Sequence, residues 1–131
     1  MKKETSNWVF FAERDILAAN TLLNIDDLTG EVAFHCQQAI EKYFKAYLVE
    51  NSIPIQKIHD LMKLYARVKE VKDWNIDISI LEDISEIYVE SRYPGDEGVL
   101  PNGMLPTMEQ AKTFLAFAQK IESIFRSLVG M

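Results

Sequence analysis

The segment Val32–Leu48, VAFHCQQAIEKYFKAYL, decides how this chain is read. Projected at about 100° per residue, it places Val32, Cys36, Ala39, Ile40, Tyr43 and Tyr47 on one face and Gln38, Glu41, Lys42 and Lys45 on the other. That division predicts an amphipathic helix packed against others. His35 lies at the border of the two faces, and Ala39 and Ala46 beside it are small enough for a second helix to approach closely.

The same period runs outward in both directions, and no period-two strand interrupts it. Asn7 is the expected cap of a first helix reaching about Leu23, with Trp8, Ala12, Ile16, Ala19 and Leu23 inward and Asp15 unexpectedly among them. An ion partner from another helix, an arginine for example, would satisfy that carboxylate without any chemistry. A turn through Asp26, Asp27, Thr29 and Gly30 leads to the central segment, which ends near Asn51 ahead of Pro54. A third helix begins around Ile58 to Asp60 with Leu61, Leu64, Tyr65, Val68 and Val71 inward. Trp74 and Ile76 pin the next connection, and Asp77 caps a fourth helix bearing Ile80, Leu81, Ile84, Ile87 and Tyr88 over an acidic outer side. From Pro94 to Pro106 the chain holds three of its four prolines and three of its five glycines, so a long loop is expected there. Thr107 to Gln110 matches a capping box opening a last helix with Ala111, Phe114, Leu115, Ala118, Ile121, Phe125 and Leu128 inward. The fold expectation is all-α: an antiparallel, up-and-down bundle of four to five helices in one domain, residues 1–131.

With 131 residues, 48% of them hydrophobic, the chain is long enough to bury a core without disulfides or a metal. Its apolar runs stay well short of the roughly 20 residues a membrane helix requires, and Asn7 to Phe11 is too short for a signal peptide core. The expectation is a cytoplasmic protein with no membrane association. Cys36 is the only cysteine, so an intramolecular disulfide is impossible and a small buried side chain is expected. A net charge of −6 argues against broad, sequence-independent wrapping of nucleic acid, which works by neutralising phosphates.

The order HxQQAxEKxxKAxL (His35 to Leu48), then Ile58-His59-Asp60-Leu61, then Ser91-Arg92-Tyr93-Pro94, resembles the small all-helical HEPN domains often encoded beside minimal nucleotidyltransferases. The resemblance implies a homodimer with polar residues gathered near the subunit interface, a nucleotide or RNA ligand, and a nucleotidyltransferase partner in a toxin-antitoxin-like or substrate-binding pair. In such pairs the transferase can modify a tyrosine near the arginine motif, a position that Tyr93 fills here. RNA-cleaving members carry an arginine followed four to six residues later by a histidine. After Arg92, Glu97, Gly98 and Val99 stand where that histidine would fall, so the motif is broken and a protein without strong catalysis is the main expectation.

A rearranged ribonuclease is the alternative, with Arg92, His35 and His59 as its catalytic set, because imidazole exchanges protons near neutral pH and an exposed glutamate does not. Against it stand structural roles: His35 bonded at the core edge and His59 fixing a helix start together with Asp60. As a ligand site, Arg92 offers two parallel hydrogen bonds to phosphate and Tyr93 a ring for stacking on a base, unless Arg92 instead pairs with Asp15, Asp96 or Glu97. Gln38, Lys42 and Lys45, running along the helix from His35, form either a phosphate-facing strip or an ordinary solvated face with a Glu41/Lys45 pair. Asp15 completes the ligand-site candidates. No HxxxH or HExxH spacing supports a metal, and no cofactor is expected.

Overall fold

The computed structural model describes residues 1–55, 57–92 and 105–131, with the side chains of residues 88–92 outside that description. Five helices follow one another: α1 Lys3–Leu22, α2 Thr29–Glu50, α3 Leu61–Val71, α4 Ile78–Arg92 and α5 Met108–Val129. There is no strand among the described residues.

Local signals start three of them. Asp60 Oδ1 accepts from the backbone N–H groups of Met62 and Lys63 at the start of α3, and Asp77 Oδ1 accepts from those of Ser79 and Ile80 at the start of α4. Thr107 and Gln110 form the expected reciprocal capping box before α5, which stops at Gly130 in the left-handed region, φ +77°. The first helix departs from expectation. It begins at Lys3 rather than after Asn7, because Glu50 at the far end of α2 supplies the anchor: its Oε1 accepts from the Lys2 N–H at 3.0 Å and from the Thr5 hydroxyl at 2.9 Å. The α1–α2 turn also closes sooner than expected, so that Thr29 and Gly30 form the first turn of α2.

Contacts along the helices give their directions. Thr5 meets Glu50 while Asp15 meets His35 and Lys42, so α1 and α2 are antiparallel. Thr29 Oγ1 donates to the Pro106 carbonyl where α2 and α5 begin, and the Tyr43 hydroxyl donates to Glu122 about two thirds of the way along both, so these two run the same way. Asp77 and Ile80 lie beside Phe117 and Lys120, while Asp83 lies beside Glu109 and Gln110, which makes α4 antiparallel to α5. Helices α1, α2, α4 and α5 therefore alternate up and down, and the short α3 occupies the crossover. The whole is the all-helical bundle the periodicity predicts.

Helix α2 touches every other helix and carries much of the core, with Ile40, Tyr43, Phe44 and Leu48 fully buried against Leu64, Leu81, Ile84, Ile121 and Phe125. Trp74 pins the α3–α4 connection as expected, its ring edge-on to Phe44 and Tyr47 at 5.5 and 5.2 Å. Val71 and Leu128, expected inward, lie at the exposed margin, while Phe117 joins the core. Because so many helices surround α2, its buried arc is wider than a two-face projection allows, and Gln37, Glu41 and Lys45 are buried with the apolar residues. No helix among the described residues is long and apolar enough to cross a membrane.

Candidate functional site

Two polar clusters lie along α2. The first joins α1 to α2 and begins with Asp15, which shares the inward face of α1 with Ala12 and Ala19, both fully buried. Small residues one turn on either side bring the helices close, and the short carboxylate reaches across. Asp15 Oδ1 contacts His35 Nδ1 at 2.8 Å and Oδ2 accepts from Lys42 Nζ at 2.5 Å. His35 and Lys42 are two turns apart on one face of α2, so the carboxylate bridges them. Both of its oxygens are satisfied and its charge is balanced by Lys42, which is why a buried carboxylate is tolerated here. The partners are a histidine and a lysine, where sequence reasoning had suggested an arginine.

This cluster is not sealed. The side chains of His35 and Lys42 keep about a quarter of their surface, 27% and 22%. His35 Nε2 has no hydrogen-bond partner among the described residues and is not among their fully buried polar atoms. The Lys42 ammonium also lies 6.0 Å from the centroid of the exposed Phe11 ring, and the Phe34 ring meets the imidazole edge-on at 5.0 Å.

The second cluster is tighter. Glu41 Oε2 accepts from Lys45 Nζ at 3.0 Å and contacts His59 Nδ1 at 3.2 Å, while Glu41 Oε1 accepts from Gln37 Nε2 at 3.4 Å. Gln37 Nε2 also reaches the His59 carbonyl at 3.4 Å, and its own Oε1 accepts from Gln38 Nε2 at 2.8 Å. Lys45 and Glu41 are 6% and 5% exposed, and the Lys45 ammonium lies 5.4 Å from the Trp8 ring centroid. This network ties the segment before α3 onto α2. The Glu41–Lys45 pair expected from the i to i+4 spacing is present, but it is buried, with the ammonium on Glu41 and beside Trp8, where a solvated face was expected.

The two histidines thus serve different carboxylates, His35 with Asp15 of α1 and His59 with Glu41 of α2. His59 does mark a helix start beside Asp60, as one reading expected, and its ring stays 76% exposed. Gln38 is half-buried next to His35. Arg92 ends α4, but its side chain lies outside the description, as do Tyr93 and the rest of the loop to Met104. Cys36 is fully buried, and burial first, then the negative charge of Asp15, push its thiol up to about 12. A thiol held protonated is no nucleophile, and the adjacent imidazole is turned to Asp15. No group of three His, Cys, Asp or Glu side chains suited to a metal occurs among the described residues. Hollows of about 400 Å³ beside Lys2 and Pro54 and about 240 Å³ between α4 and α5 lie away from both clusters.

Sequence reasoning found Asp15, His35 and Lys42 but not their bond to one another, since twenty and twenty-seven residues separate them from Asp15. It missed Glu50 altogether, where nothing local distinguishes the residue from a surface glutamate. A family model described as HEPN domain matches residues 5–128, nearly the whole chain. No curated protein and no solved structure matches significantly.

Proposed function

This chain belongs to the HEPN domain family, and from that premise we propose that it is a homodimeric protein that binds a nucleotide or RNA element and has no strong catalytic activity of its own. The observation that carries the reading is the Asp15–His35–Lys42 cluster, held by a buried carboxylate yet open at His35 Nε2. Core histidines normally complete both of their hydrogen bonds; this one has Nε2 without a partner among the described residues, on a side chain that keeps 27% of its surface. Gln38, half-buried beside it, adds an amide whose carbonyl oxygen is uncommitted. Arg92, the last residue of α4, and Tyr93, next in the sequence, are assigned to the phosphate and the base of the same ligand by their chemistry. The broken motif after Arg92 supports binding over cleavage. Residues 1–131 act as one domain, and the dimer forms through α1, where Phe10, Phe11 and Leu17 stand exposed.

The reading is tested by incubating the purified protein with total cellular RNA and a nucleotide panel, with Arg92→Ala in parallel. Binding without cleavage, lost in the variant, is the expected result. Absence of both binding and cleavage would sink the ligand reading and turn the search to a nucleotidyltransferase partner, with Tyr93 as the residue to inspect for modification.

One observation favours a second reading. An imidazole whose Nδ1 is held by a carboxylate and whose Nε2 is bare has the arrangement of a general base, so a ribonuclease using His35 with Arg92 is the alternative. Cleavage abolished by both Arg92→Ala and His35→Gln would establish it and overturn the binding-only function.

A further inference from the structure

The Asp15–His35 contact fixes more than the position of the ring. A neutral imidazole carries one proton, and its location decides whether the surface nitrogen donates or accepts. Asp15 Oδ1 can only accept, so the 2.8 Å contact requires the proton on Nδ1. Nε2 is then a lone pair at the surface. With Asp15 at −1 and Lys42, bonded to its other oxygen, at +1, a neutral imidazole leaves the cluster without net charge.

Resting on the ligand reading above, we propose that Asp15 is a positioning residue that holds His35 in the Nδ1–H tautomer, so that Nε2 reads a hydrogen-bond donor of the ligand, a sugar hydroxyl or a base N–H, and not its phosphate. The phosphate falls to other groups. Lys42 acts as the counter-charge bonded to the other oxygen of Asp15, which is a different task from gripping an anion.

Two measurements separate this proposal from its parent. Nitrogen-15 NMR of the ligand-free protein, with the His35 signals identified by their loss in His35→Gln, should show Nδ1 protonated and Nε2 bare. In Asp15→Asn, where the amide N–H can donate to the ring, the proton should move to Nε2 in a substantial fraction of molecules. An imidazole protonated on both nitrogens, or an Nε2–H tautomer in the unaltered protein, would overturn the proposal.

Binding is then measured for ribonucleoside monophosphates, their 2′-deoxy counterparts and inorganic phosphate. Loss of one hydrogen bond predicts affinity about five- to tenfold weaker in His35→Gln, with Asp15→Asn weakened in the same direction. Inorganic phosphate alone perturbing the His35 ring would assign the nitrogen to phosphate and refute the donor assignment. Should no nucleotide bind, the ligand reading falls and takes the donor assignment with it, while the tautomer spectrum still decides the role of Asp15.

Discussion

Glu41 and Lys45 show what a single residue hides from a sequence reading. Their letters and their i to i+4 spacing describe a solvated pair, yet both are almost fully buried, because Trp8 covers the ammonium and the chain before α3 covers the carboxylate. Asp15 is the opposite case: a charged letter in an apolar sector, which the period alone exposes as anomalous. The burial of Glu41 has a measurable consequence. Removing one member of a buried pair leaves the other charged and desolvated, so Glu41→Ala should destabilise the fold by about 3 kcal/mol or more, whereas Glu41→Leu with Lys45→Met should recover most of that loss. Urea unfolding of the three proteins checks it. A single-variant change of only a few tenths of a kcal/mol, the size expected of an exposed pair, would show that water reaches the network.

At the scale of elements, the legible parts are those whose signals are local. Asp60, Asp77 and Thr107 start their helices with bonds made two or three residues away, and each start is readable from the sequence. The start of α1 is not, because its anchor is Glu50, 45 residues beyond Thr5. The Lys2 N–H first, and then the Thr5 hydroxyl, hold the Glu50 carboxyl below its ordinary range against a smaller opposing effect of burial. A depressed carboxylate stabilises the fold at pH values above its unfolded pKa of about 4.3, and that contribution fades as pH falls through the folded value. Thermal melts of the unaltered protein and Glu50→Gln should therefore differ most near pH 7 and converge as the solution is acidified below about pH 4. A gap that stays constant over that range would mean that Glu50 acts by shape and not by charge.

For the whole molecule, an apolar face of α1 stands exposed among the described residues. Phe10 and Leu17 lie two turns apart on α1 and are 54% and 62% exposed, with Phe11 beside them at 53%. Large exposed aromatics in a row mark an interface more often than a solvent surface. The charges between them favour a second copy of this chain. If two α1 helices pack antiparallel about a twofold axis passing between residues 13 and 14, Phe10 of each faces Leu17 of the other and Glu13 faces Arg14. Glu13 already holds Arg126 at 2.7 Å, and Arg14 lies 5.8 Å from the centroid of the Phe10 ring, so both charges are positioned at the edge of the apolar stripe. Each copy would bring a net charge of −6, which the apolar stripe with its crossed pairs would have to oppose. The same packing would place the second copy next to Phe11 and hence next to Lys42, at the rim of the Asp15–His35 cluster. Light scattering should accordingly give twice the 15.1 kDa chain mass at micromolar concentration, and Phe10→Ser with Leu17→Ser should return it to a single chain with the helical content unchanged. A single-chain mass for the unaltered protein would remove the dimer, and a doubled mass that survives both substitutions would move the interface away from α1.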